Sequence, residues 1–154
     1  MAMQAAVLDS SRLPGRTVHP SARADDTFPI MAMRAGVIFG LFGVALIHLI
    51  DLWGQLRATP YIGGLYIALI VASLAVGMRL IWTCNRRLLA MAATIAGATF
   101  IAFVLSRTTG LPKSSDDIGN WEEPLGLASL FVEFLVVTLS VSAMTVLRPR
   151  RAKA

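Results

Sequence analysis

LGLASLFVEFLVVTLSVSAMTVL (Leu125–Leu147) carries one charge, Glu133. A run this long and this apolar is enough to cross the roughly 30 Å hydrocarbon layer of a bilayer as a helix. A carboxylate inside such a run costs about 2.5–3.5 kcal/mol on insertion scales, so it turns toward a protein interior and takes a partner. At helical spacing Gly126, Ser129, Glu133, Val137 and Ser140 share one face. That face is small and polar, the kind that packs against another helix. The run stops at Arg148-Pro149-Arg150-Arg151, which opens a short basic tail, 149–154.

Three similar runs precede this one, at 34–53, 60–82 and 88–106, and 1–32 reads as a disordered tail. The expectation is an all-α fold: an integral membrane domain over 33–148, built as an antiparallel four-helix bundle. Composition agrees. The chain is 56% hydrophobic and 15% charged, with mean hydropathy +0.68, whereas soluble domains carry about 25% charged residues. The sequence pI near 10.4 does not indicate a nucleic-acid partner, because the basic residues lie at the ends of apolar runs and not on one polar face. The single cysteine, Cys84, excludes an internal disulfide and any CxxC redox or zinc pair.

In the first span Gly36, Gly40 and Gly43 fall on one narrow face, and Gly36-x-x-x-Gly40 is the close-packing pattern of membrane helices. The same pattern serves a contact within the chain or a homodimer seam. His48 and Asp51 follow at the far end of the span, three residues apart and so neighbours on the helix surface. Gly54 to Thr59 reads as a connection, and Pro60 opens the second span, where a missing N–H costs nothing. There Gly64, Ala68 and Ala72 repeat every four residues and mark a second tight face. Cys84-Asn85-Arg86-Arg87 reads as a turn. In the third span Ala93, Gly97, Phe100, Val104 and Arg107 share a face. A polar connection from Thr108 to Glu123 follows, longer than helix–helix connections usually are. Its Asp116-Asp117 lacks the alternating oxygens of an EF-hand and reads as a solvated turn.

Charge sets the expected orientation. With both termini on one side of four spans, all of the 14 lysines and arginines except Arg57, Arg107 and Lys113 gather on that side. The positive-inside rule makes it the cytoplasmic side. Trp53, Tyr61 and Trp121 then fall at the outer interface, and His48, Asp51, Arg107, Glu122, Glu123 and Glu133 all belong to the outer half.

Since consecutive antiparallel helices lie side by side, the expectation is an Arg107–Glu133 pair across the third and fourth spans. Such a pair is either a structural device that sets register or part of a site that holds a ligand or a proton. The expected site is His48, Asp51, Arg107 and Glu133, closed over by the loop with Trp121, Glu122 and Glu123. Helix packing is assigned to Gly36, Gly40, Gly43, Gly64, Ala68, Ala72, Ala93, Gly97, Gly126 and Ser129. No metal or cofactor is expected, for there is no HExxH, no second membrane histidine and no Glu-x-x-His pair of the di-iron bundle type. Nor is there a hydrolase triad spacing or a glycine-rich phosphate loop.

Ser106-Arg107-Thr108-Thr109-Gly110-Leu111-Pro112, followed by Trp121-Glu122-Glu123-Pro124-Leu125-Gly126, resembles the outer loop of small four-span membrane proteins of actinobacteria, in which SRTxGLP precedes an acidic-Pro-x-Gly opening of the last helix. In span count and length the layout is also similar to the DoxX-like membrane proteins. The resemblance implies the fold and lends weight to the loop between Arg107 and Gly126; it implies no activity. The reading is therefore a non-enzymatic accessory or small-ligand-binding protein of the lipid bilayer, with a membrane protein partner or a second copy of itself. The competing readings are a membrane-embedded metal-dependent or redox enzyme using the same cluster, and a packing module whose polar groups are purely structural.

Overall fold

The structure, a computed structural model, describes residues 27–112, 114–115 and 117–147. These form four helices: α1 (Thr27–Ala58), α2 (Pro60–Trp82), α3 (Arg86–Thr108) and α4 (Pro124–Val146). Among the described residues there is no strand, only an isolated bridge between Leu111 and Ser114. Each helix is long and apolar enough to cross a membrane. The N-terminal tail as far as residue 26, His19 and the basic tail lie outside the described residues.

Helix boundaries follow local chemistry. α1 starts before residue 34 and runs past residue 53, so Gly54–Ala58 is helix and not connection. Only Thr59 separates α1 from α2. The ring of Pro60 excludes the α region for the residue before it, and Thr59 accordingly sits at φ −145°, ψ 87°. α3 begins at Arg86 because Asn85 caps it: its Oδ1 accepts from the Leu88 N–H at 2.9 Å. Pro124 opens α4 as Pro60 opens α2.

Packing is uneven around the set. α1 packs extensively on α2 and α4, and α3 on α4; α2 meets α3 sparsely and does not touch α4. The α1–α4 seam is set by glycines. A Cβ on Gly36 would lie 2.5 Å from Leu139 Cδ1, and one on Gly40 would collide with Val136 Cγ2. Numbers rise along α1 as they fall along α4, with Gly36, Gly40 and Gly43 facing Leu139, Val136 and Val132.

On α2 the expected tight face points away. Gly64 has open space around it and Ala68 is exposed, while Ala72 is half-buried. The packed glycines are Gly63, against Leu56, and Gly77, against the Phe42 ring. The reason lies in the competing stripe Ile62-Tyr66-Leu69-Ser73, whose polar groups must face protein once their surroundings are apolar. The α3 face is likewise turned by one residue: Leu89, Ala92 and Ala96 are fully buried, and Ala93 and Gly97 are half-buried.

The apolar core gathers at one end. Val37 and Leu41 of α1 meet Leu80 of α2, Leu89 and Ala92 of α3 and Val136 of α4. Arg34 closes this end by donating from Nε to the Leu80 carbonyl at 2.7 Å and from Nη2 to the Ile81 carbonyl, two acceptors in the last turn of α2. The outer faces of all four helices expose large apolar side chains, among them Phe39, Leu65, Ile101, Phe131 and Phe134. An apolar surface of that extent is suited to lipid and not to water. The opposite end, where the 109–123 connection lies, is hollow.

Candidate functional site

The hollow is a cavity of about 390 Å³, and all four residues of the expected site line it: His48 and Asp51 from α1, Arg107 from α3, Glu133 from α4. Helical spacing places each one. His48 and Asp51 are adjacent on the inward stripe of α1, and Glu133 lies one turn below Ser129 on the buried stripe of α4.

His48 is 6% exposed. Its Nδ1 lies 2.9 Å from the Val44 carbonyl. A carbonyl only accepts, so Nδ1 carries the hydrogen and, in the neutral ring, Nε2 is left as an acceptor. The ring meets Tyr66 edge to face, with centroids 4.7 Å apart. Tyr66 in turn donates its hydroxyl to Asp51 Oδ2 at 3.3 Å, and Gln55 Nε2 donates to the same oxygen at 3.2 Å. Asp51 is thus held from two helices.

Arg107 is 6% exposed, and it does not pair with Glu133. Its Nη1 lies 2.7 Å from Asp117 Oδ1, and its Nη2 bonds to Glu123 Oε2. The guanidinium stacks over the Phe103 ring, 4.7 Å from its centroid. Two carboxylates from the loop lie nearer to the end of α3 than one buried in α4, so they take the guanidinium. Asp117 lies in a turn, as expected, and is in addition an ion-pair partner of Arg107; Asp116 lies outside the described residues.

The loop is pinned at further points. The Gly119 N–H donates to the Arg107 carbonyl at 2.9 Å, and Tyr61 donates to the Pro112 carbonyl at 2.5 Å. Gly110 and Gly119 take φ of +77° and +81°, which lets the chain fold back across the end of the helices. Glu123 lines the cavity; Glu122 and Trp121 do not, and Trp121 packs edge to face on Phe103.

Glu133 is fully buried. Oε1 accepts from the Ser129 hydroxyl at 2.6 Å. Oε2 has no hydrogen-bond partner among the described residues. Gly126, one of the assigned packing positions, is buried where a Cβ would strike the Phe103 ring, which lets α4 approach α3 beside the cavity.

Sequence reasoning missed Tyr66 and Gln55. The signal for Tyr66 was present: a phenol six residues into an apolar run needs a partner, and Asp51 was the nearest candidate across the α1–α2 connection. Among the described residues no three His, Cys, Asp or Glu side chains converge as a metal-binding group. Comparison of the chain with family models, with curated proteins and with solved structures returns no match.

Proposed function

We propose that this chain is a non-enzymatic small-ligand-binding protein of the bacterial plasma membrane, an antiparallel four-helix bundle with both termini in the cytoplasm. Opposed residue pairs along α1 and α4 support the antiparallel reading. The concentration of basic residues on the terminal side supports the orientation. In this frame the cavity opens toward the outer side, under the 109–123 loop.

One observation carries the binding reading: Glu133, fully buried in the lining of a cavity large enough for a small molecule, has an oxygen without a hydrogen-bond partner among the described residues. Ligand sites occupy about 300–1,000 Å³ and place a few polar groups among apolar walls. Leaving a buried acceptor unmet costs about 1–3 kcal/mol, which a bound donor would recover. Arg107 holds the loop, while His48 and Glu133 offer acceptors to the ligand. Asp51 orients Tyr66 beside them.

The test is native mass spectrometry of the protein taken from its own membrane in a mild detergent, beside Glu133→Gln and with metals quantified. The expected result is a small-molecule adduct on the wild type that Glu133→Gln lacks. The same species on both proteins refutes the reading. A stoichiometric metal lost in His48→Ala would replace it with the metal-enzyme alternative, and a co-purifying protein without a small molecule would favour an accessory subunit.

A further inference from the structure

The lining of the cavity reaches the seam between α2 and α3. α2 and α3 meet only sparsely. The wall between them is made by Leu65 and Leu69 of α2 and by Ala98 and Ala102 of α3, and Leu65, Ala98 and Ala102 are exposed while still lining the cavity. These four lining residues are apolar. In a bilayer, a gap between two spanning helices faces hydrocarbon and not water.

The polar lining has a definite sign. Among the described residues its charged members are Asp51, Asp117, Glu123 and Glu133, with Arg107 as the one cation. Arg107 is already answered by Asp117 and Glu123. Its Nε and Nη1 have no hydrogen-bond partner among the described residues, but an anionic group approaching them would meet the two carboxylates as well. Away from that ion-pair cluster the groups left over are acceptors: Glu133 Oε2, and His48 Nε2 once Nδ1 is committed to Val44.

We infer that the molecule held here is a single-chain amphiphile with a cationic, hydrogen-bond-donating amine head, taken from the bilayer through the gap between α2 and α3. The head reaches Glu133 and His48, and the chain leaves between Leu65 and Ala98. The inference rests on the ligand-binding reading above and adds the ligand's chemistry and its route.

The experiment uses the full chain in phosphatidylcholine nanodiscs with two photoreactive probes, dodecylamine and dodecanoate, each carrying a diazirine at mid-chain. Labelled peptides are mapped by mass spectrometry. The amine is expected to label the 62–69 and 98–103 segments about tenfold more than the carboxylate does, as befits a head group whose charged hydrogen bond is worth about that factor. Glu133→Gln is expected to lose that excess. Ala98→Phe, which fills the gap from the lipid side, is expected to lose it too. Ala90→Phe, exposed on the same helix but away from the cavity, is expected to keep it.

Equal labelling by both probes, spread over outward residues such as Phe39 and Phe131, would overturn the inference. Butylamine, which has no chain to anchor in the bilayer, separates the two claims when titrated by native mass spectrometry. Binding of butylamine that is lost in Glu133→Gln, without gap labelling by the long amine, would keep the cavity as a ligand site and overturn the lateral route. Absence of both signals would overturn the site as well.

Discussion

Alanine at Gly40, Gly36 and Gly64 should produce three different outcomes, although the sequence places all three glycines in the same small-residue pattern. Each substitution gains the same helix-propensity benefit, about 0.5–1 kcal/mol in soluble hosts, so differences among them report the environment of the added methyl. At Gly40 the methyl collides with Val136 Cγ2, and Val136 is fully buried. A β-branched side chain in a helix has one strongly preferred χ1, so Val136 cannot swing aside and α1 must move off α4. Overpacking of this kind costs about 1–3 kcal/mol. At Gly36 the obstacle is Leu139 Cδ1, the far end of a half-buried and flexible side chain that can yield. At Gly64 nothing lies within 4 Å. Gly40→Ala should therefore fall about 1–3 kcal/mol below Gly64→Ala, with Gly36→Ala between them. The assay is reversible unfolding in dodecylmaltoside micelles against rising SDS, followed by tryptophan fluorescence. The refuting result is a Gly64→Ala protein as damaged as Gly40→Ala. Gly64 would then face inward, and Tyr66, about 200° further round at two residues' distance, would face lipid and be unable to reach Asp51.

Two further outcomes follow from the contacts. Arg107→Glu sets a third carboxyl beside Asp117 and Glu123 and should free the 109–123 loop, read as faster hydrogen exchange at the Gly119 amide. Adding Glu123→Arg should restore protection, whereas adding Glu133→Arg should not; rescue by the latter would mean that Arg107 belongs to Glu133 after all. Asn85→Ala removes the cap on Leu88 and should cost about 1 kcal/mol in the same unfolding assay, with exchange rising at the start of α3 and not at its end.

The four spans and the inward set of polar residues could be read from the sequence because both follow from cost. A charge or an imidazole in an apolar run is expensive unless it faces protein, so His48, Asp51, Arg107 and Glu133 had few places to go. Small residues carry no such penalty. An alanine is as content against lipid as against a helix, and the Gly64-Ala68-Ala72 stripe lost the inward face to a stripe holding Tyr66 and Ser73. Pairing was not legible either. Arg107 took Asp117 and Glu123, and their positions depend on two left-handed glycines and a backbone bond from Gly119, features of a loop path and not of periodicity.

That loop path bears on what the cavity can hold. Had Arg107 reached Glu133, the two charges would have answered each other and the interior would offer little to a ligand. Because the loop supplies two carboxylates at the end of α3, the guanidinium stays at the rim, where Asp117 and Glu123 are each still about a third exposed. Glu133 is left with one hydroxyl, from Ser129, on one of its two oxygens. Paired buried charges are often replaceable by apolar residues at little cost, so an Arg107–Glu133 bridge would have been weak support for a binding site. A buried carboxyl with half its bonding capacity unused is different. It stands at a cost to stability, a cost that the proposed ligand would recover. The ion pairs that close the loop over the rim and the acceptor left open beneath it are therefore two results of one choice of partner by Arg107.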